Sequence, residues 1–245
     1  MPCFNGLPFL RDSVASVLAQ DHADLELLII DDGSVDGSRE FIAEQARLDP
    51  RIRQLATHGG EGPAKARNLG IGAASGRYLA FLDADDVWLS NKLARHLQFM
   101  EQAGVVFSWC PFVEVTADDA RVRVVSSWQH CSAEDLLDKR TVIGCSTVIY
   151  DRKRLGTHFM PEIRMRQDLG LWLRLLRMCE DGGLKAQGLE EALVYYRVHP
   201  GSLSSGKFRA AYYQWRLLRD VERLPLRRAW VRFVAYAWRS VAARL

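Results

Sequence analysis

The sequence predicts an α/β protein with a mixed, mainly parallel sheet, and three observations lead there. Short apolar runs alternate with stretches of helical periodicity through the first hundred residues, the pattern of strands joined by crossover helices. Two of these runs, at 25–30 (LELLII) and 77–82 (RYLAFL), lead into Asp31-Asp32 and Asp83, and ligands of parallel sheets bind at such C-terminal strand ends. The length, 245 residues, suffices for one large domain with a buried core, or for a domain with a small appendage.

The elements follow in order. Residues 7–20 place Leu7, Leu10, Val14, Val17 and Leu18 at helical spacing, with Pro8 near the start, where its missing N–H costs nothing. The run 25–30 reads as a buried strand entering the turn Asp31-Asp32-Gly33-Ser34. A helix at about 36–47, a short strand at 52–56 and a helix from Pro63 to the stop at Gly76 come next. The strand 77–82 then delivers Asp83, and a helix presents Leu89, Leu93, Leu97 and Met100 on one face. Past residue 104 the alternation breaks into strand-like segments at VVFSW, at VRVVSS after the turn 117–120, and at 142–150, the mark of a partly antiparallel half. A strong helix starts at Asp168, burying Leu169, Trp172, Leu173 and Leu176, and ends at Gly182-Gly183. Residues 199–206 (HPGSLSSG) mark a boundary, so residues 1–205 are expected to form one domain and 206–245 a basic helical tail.

Composition narrows the class. The hydrophobic share of 48% and charged share of 26% are those of a globular protein. The five cysteines, Cys3, Cys110, Cys131, Cys145 and Cys179, are odd in number, scattered and without CxxC spacing, which predicts a reducing, cytoplasmic setting and argues against a zinc site. No run of about 18 apolar residues predicts a spanning helix, and MPCFNG lacks the basic and apolar regions of a signal peptide. Residues 207–245 carry ten Lys/Arg against two acids, a charge of +8 beside −5 for the rest. Tail and body therefore face different partners.

Three acidic positions fall at predicted strand ends or a helix start: Asp31/Asp32, Asp83/Asp85/Asp86 and Asp168. Each alone has a bland reading: the first as a turn former, Asp86 as the cap of a helix beginning near Val87, and Asp168 as the cap of its own helix. Together with PCFN at 2–5, LIIDDGSVDG at 28–37, ARNLGI at 66–71, FLDADD at 81–86, QDLGLWLR at 167–174 and YRVHPGS at 196–202, they make the chain resemble the family 2 glycosyltransferases of the GT-A fold. The resemblance covers residue 2 to about 205.

The resemblance implies a nucleotide-sugar donor, UDP-sugar foremost, and a glycan or lipid-linked acceptor in cell-surface polysaccharide or lipopolysaccharide synthesis. The leaving nucleoside diphosphate develops negative charge, which a hard divalent cation, Mn²⁺ or Mg²⁺, offsets through carboxylate ligands. Asp85 and Asp86 are the expected metal and ribose-side ligands, Asp83 a further contributor. His199 either completes that sphere or stands as a loop histidine in water. Asp32 is expected at the uracil ring, Arg67 and Asn68 near base and sugar, Pro2 and Asn5 beside the nucleobase, and Arg197 at the pyrophosphate. Arg67 can equally be a helix-surface cation. Asp168 is the expected general base, taking the acceptor hydroxyl's proton in a single inverting displacement, its ionised form favoured at a helix start. Gln167 stands where the family often has Glu. The processive Gln-x-x-Arg-Trp motif does not occur, which implies addition of a single sugar.

Two features stand outside the resemblance. The family carries a strand of five or six apolar residues before Pro-x-x-Asn; here only Met1 precedes Pro2, so the chain is expected to lack its first strand, with a start upstream of Met1 the favoured explanation. The alternative is a degenerate nucleotide-sugar binder without catalysis. In the tail, Arg228, Arg232 and Arg239 share one helical face opposite Trp230, Val234, Trp238, Val241 and Leu245. Such a helix either lies on an anionic membrane or packs its apolar face on the domain with its arginines in water. No nucleic-acid motif accompanies the charge, so nucleic acid is not an expected partner. A nucleotidyltransferase would need an early Gly-rich triphosphate loop, and GGEG at 59–62 comes too late.

Overall fold

The computed structural model describes residues 1–116, 120–199 and 207–242. Its first half is a parallel sheet in the order β1-β2-β3, formed by β1 (Pro2–Cys3), β2 (Leu27–Asp31) and β3 (Ile52–Ala56). The crossovers are α1 (Leu7–Leu18) and α2 (Ser38–Leu48). Every residue of β2 is buried, as its uninterrupted apolar run requires of a strand covered on both faces. Then α3 (Pro63–Ala73) leads to β4 (Tyr78–Ala80), β5 (Val87–Trp88), α4 (Lys92–Ala103), β6 (Val105–Ser108), β7 (Phe112–Val115) and β8 (Arg121–Val125). The last part holds α5 (Ala133–Leu137), β9 (Ile149–Asp151), α6 (Arg152–Leu155), α7 (Gln167–Gly182), β10 (Lys185–Ala186), β11 (Val194–Arg197), α8 (Lys207–Arg216) and α9 (Leu226–Ala242).

The mixed character expected past residue 104 takes the form of two further sheets, β10-β6-β9-β4 and β5-β11-β7-β8. In these β9 runs antiparallel to both β4 and β6, while β11 runs parallel to β7. The helix expected near Val87 is instead the short strand β5, paired with β11 through Trp88 and Val194. The reason is Trp88: its buried indole N–H donates to the Ser146 carbonyl at 2.8 Å, which anchors this segment against the sheet and delays the helix to Lys92. The turn at 117–120 and the boundary at 199–206 lie largely outside the described residues.

The expectation of a missing first strand is corrected in part. Residues 1–3 do run beside β2: the Met1 amine donates to the Leu28 carbonyl at 2.9 Å, and the Met1 carbonyl accepts from Ile30 N–H at 2.9 Å. Beyond them opens a cavity of about 850 Å³, lined by Leu28 and Ile30 from β2, Leu79 and Phe81 at β4, and Ile71 and Leu97 from the flanking helices. β1 thus sits at the mouth of a slot between two sheet edges, in which Glu26, Arg77 and Glu101 join the apolar side chains. Burial there pushes the Met1 amine's pKa down to about 5, with the Arg67 charge adding to the effect.

The core joins the C-terminal helices to the rest. Trp172 of α7 packs on Phe81 and Phe107 with ring centroids 5.2 and 5.7 Å apart, and Leu217, Leu218 and Ala229 belong to the same buried cluster. The tail therefore shares the hydrophobic core of the preceding residues. Its amphipathic helix is turned opposite to the reading in which arginines face water. In α9, Arg232 pairs with Glu134 and with Asp138 of the segment at α5, and Arg239 donates to the Asp138 carbonyl. Leu226, Trp230, Val234 and Trp238 are left exposed. Val241 and Leu245 lie outside the residues whose side chains are described.

Candidate functional site

A cleft of about 680 Å³ opens at the C-terminal ends of β1, β2 and β4, lined by Pro2, Asn5, Asp32, Arg67, Asp83, Asp85, Asp168 and His199 among others. Eight of the eleven residues singled out from sequence meet there. Asn68, Asp86 and Arg197 do not line it.

The wall after β2 is built around Asp32, which is 5% exposed. Its carboxylate accepts the Glu61 and Gly62 N–H groups at 3.0 and 2.8 Å and the Thr57 hydroxyl, and its carbonyl accepts from Gly60 N–H at 2.8 Å. Asp32 thus shapes the loop 59–62, the second wall. Asn5, in the left-handed region at φ 49°, holds a neighbouring turn: its Oδ1 accepts from Val35 N–H at 2.9 Å. The preceding carboxylate, Asp31, is fully buried and committed to Ser34 N–H and Arg39. Gly33 has φ +89°, and a Cβ there would stand 2.9 Å from the Gly59 Cα, backbone against backbone. Gly33→Ala is expected to cost about 2–3 kcal/mol and to weaken nucleotide binding by displacing loop 59–62. Thermal unfolding and nucleotide titration of the variant check both; wild-type values would refute the close-approach argument.

The acidic cluster follows β4. Among the described residues, Asp83, Asp85 and Asp86 form the one group of three whose potential ligand atoms all lie within 4.8 Å of one another. The three differ in direction. Asp83 pairs with Arg67, and its N–H donates to the Ser146 hydroxyl at 3.1 Å. Asp85 is 3.0 Å from His199 Nε2, whose ring rests on Phe9 at 4.9 Å. Asp86 is fully buried; it accepts Arg197 N–H at 3.1 Å and the Ser146 hydroxyl on its two oxygens. Burial first, and the neighbouring Asp83 charge second, push the Asp85 pKa up. Burial followed by Asp85 and Asp83 push Asp86 well up. A cluster in which carboxylates resist ionisation, with oxygen donors this close, fits a hard divalent cation, whose charge would reverse that shift.

Arg67 is a buried cation of the cleft rather than a helix-surface one, at 8% exposure. Burial opposes its charge, but the Asp83 carboxylate, with Asp168 further off, holds its pKa above the ordinary value. Its Nε and Nη1 have no partner among the described residues. Both atoms are closed off from solvent, so the guanidinium acts on the cleft through its charge and its pair with Asp83. Arg197 turns away from the cleft, its guanidinium on Asp12 at 2.9 Å and over the Phe9 ring. Asn68 is spent on the fold: its amide exchanges two hydrogen bonds, 2.9 and 2.8 Å, with the Met160 backbone.

Asp168 occupies the first turn of α7 and makes no hydrogen bond or ion pair among the described residues. It does not cap: the N-cap position is Arg166, in the left-handed region at φ 67°, with no side-chain cap. Arg166 is held by the Tyr236 hydroxyl at 2.8 Å. Strain of this kind persists where surroundings over-determine it, and here it aims Asp168 at the cleft. Sequence reasoning missed Arg166 and Ser146. Neither sits in a periodic pattern, and the Ser146 hydroxyl acts through contacts 60 and 63 residues distant in sequence.

A cleft at parallel strand ends, with a carboxylate cluster and an unpaired carboxylate opposite, on this mixed α/β architecture, defines a glycosyltransferase of the GT-A fold. The chain belongs to the family described as Glycosyl transferase family 2, whose sequence model matches residues 1–157. It is 38% identical over 245 residues to the putative teichuronic acid biosynthesis glycosyltransferase TuaG of Bacillus subtilis (strain 168), covering 100% of this chain and 95% of that protein. It is 35% identical over 228 residues to the UDP-Glc:alpha-D-GlcNAc-diphosphoundecaprenol beta-1,3-glucosyltransferase WfgD of Escherichia coli, covering 93% and 87%. Among solved structures, S. aureus TarS 1–349 in complex with UDP-GlcNAc matches with a TM-score of 0.69 at 17% identity, covering 96% of this chain and 70% of that one. The mannosyltransferase PcManGT from Pyrobaculum calidifontis, in complex with GDP-Man and Mn²⁺, matches with a TM-score of 0.66 at 18% identity, covering 91% and 63%. At these identities the structural likeness speaks for the fold.

Proposed function

We propose that the cleft binds a UDP-sugar and passes the sugar to a hydroxyl of a lipid-linked glycan acceptor, by a single inverting displacement, during cell-surface polysaccharide synthesis at the cytoplasmic face of the membrane. The observation that carries this reading is the meeting, in one cleft, of three chemically different groups: Asp32 with its loop, the Asp83/Asp85/His199 set beside Arg67, and the unpaired Asp168. The UDP-Glc and diphosphoundecaprenol in WfgD's name, and the UDP-GlcNAc bound by TarS, support the donor and acceptor classes.

Each residue's part follows from its surroundings. Pro2, Asn5 and Asp32 form the nucleobase side, Asp32 accepting the uracil N–H. Arg67, paired with Asp83, sets positive charge beside the diphosphate. Asp85 and His199, with Asp83, would hold a Mn²⁺ or Mg²⁺ ion, while Asp86, committed to Ser146 and Arg197, positions the set from behind. When bound, the cation offsets the charge of the departing diphosphate. Asp168 accepts the proton of the acceptor hydroxyl as the new glycosidic bond forms and the bond from the anomeric carbon to the diphosphate breaks. Two products leave, the extended acceptor and UDP. Asn68 and Arg197 support the cleft without touching the donor.

A thermal-shift screen of nucleotide-sugars with and without each cation tests the donor class. A ligand at a hundred times its Kd adds about 2.7 kcal/mol, several degrees of Tm for a chain of this size. UDP-sugars with Mn²⁺ or Mg²⁺ are expected to give the largest shift. No shift with any nucleotide-sugar in either cation would reject the proposal, and an equal shift without cation would reject its metal.

A further inference from the structure

The outer face of α8 and α9 is apolar where a surface helix is ordinarily polar. Phe208 is 94% exposed and Trp238 74%, with Tyr212, Leu226, Trp230, Val231 and Val234 also exposed. Along α9, Leu226, Trp230, Val234 and Trp238 recur every four residues, one stripe down the helix. The exposure is not a helix left facing the wrong way. The opposite side is anchored by Ala229 and Tyr236, which are buried, and by Arg232 and Arg239 on Glu134 and the Asp138 segment. Neither helix contains an acidic residue, and Arg209 of α8 and Arg227 of α9 are exposed.

We infer that this face docks on an anionic phospholipid bilayer. Exposed tryptophan, phenylalanine and leucine enter the headgroup boundary, and arginines beside them meet lipid phosphates, the chemistry of a helix lying in the interface plane. The two helices carry only basic charge, which fits a negatively charged sheet of lipid, whereas a second copy of this face would bring like charge against like. The placement also joins the surface to the chemistry. Ala210 of α8 lines the cleft, while Phe208 and Tyr212 of the same helix point outward. Tyr236 of α9 holds Arg166, two residues before Asp168. Docking through these helices thus sets the Asp168 wall of the cleft at the bilayer surface. This consequence rests on the proposed lipid-linked acceptor; the docking itself does not.

Cosedimentation with vesicles tests the surface independently of transfer. The full chain is expected to pellet with phosphatidylglycerol/phosphatidylcholine vesicles and to remain in the supernatant with phosphatidylcholine alone. A Phe208→Ser/Trp238→Ser variant and an Arg209→Glu/Arg227→Glu variant are each expected to bind at least about tenfold more weakly, with donor hydrolysis unchanged. A chain that ignores anionic vesicles, variants that bind like wild type, or a dimer in solution that both variants dissociate would overturn the inference. Vesicle binding without any donor hydrolysis would count against the proposed activity and leave the docking face standing.

Discussion

Replacing Asp168 with asparagine is expected to lower kcat for sugar transfer roughly 100- to 10,000-fold, the range in which a positioned acid–base group acts, while leaving UDP affinity within about twofold of wild type. The expectation follows from what Asp168 does not do. It neither caps α7 nor pairs with a neighbour among the described residues, so its carboxylate has no structural work that would explain its place in the cleft. Asparagine keeps the shape and loses the proton acceptor. A purely structural role would appear as a lower Tm and weaker nucleotide binding with little change in kcat. UDP release at the wild-type rate in the variant would refute the assignment.

The second large effect is expected at Asp85. Asp85→Asn removes the carboxylate that faces both the cleft and His199, and should weaken cation-supported donor binding about 10- to 100-fold. The rate should fall further, since several kcal/mol of leaving-group charge stabilisation go with the cation. Asp86→Asn should behave differently. Asp86 is buried and tied to Ser146 and to the Arg197 backbone, so its loss is expected to lower Tm first and cation affinity only as a consequence. Titration of Mn²⁺ against each folded variant separates the two. Equal loss of cation affinity with unchanged Tm in both would make Asp86 a direct ligand after all.

Much of this was legible in the sequence, and the illegible part has one physical origin. Apolar periodicity located β3 at the residues expected, and the starts of α1, α3 and α7 to within a residue, because burial dictates those patterns locally. Strand ends and helix starts carried Asp32, Asp83 and Asp168 to one cleft for the same reason. What spacing does not encode is the direction of a side chain whose partner is far away in the chain. Asn68 turns to Met160, 92 residues on, and Arg197 to Asp12, 185 residues back. Asp86 turns to Ser146, 60 residues on, a residue in no motif. The same blindness left open which side of α9 packs on the domain. A helical wheel ranks faces by polarity, but Glu134 and Asp138 lie near enough to pull Arg232 inward and leave the tryptophans outside. β1 is the remaining difference: its backbone bonds to β2 form from residue 1 onward even though most of the slot beside it is open.

The central claim is that one cleft holds the donor through Asp85 and a divalent cation while Asp168 serves only the transfer step. Calorimetric titration of UDP into wild type, Asp85→Asn and Asp168→Asn, each with and without Mn²⁺, tests it most directly. The account predicts Mn²⁺-dependent binding in wild type and in Asp168→Asn, and its loss in Asp85→Asn. Binding that ignores Mn²⁺, or that disappears with Asp168 and survives without Asp85, would contradict it.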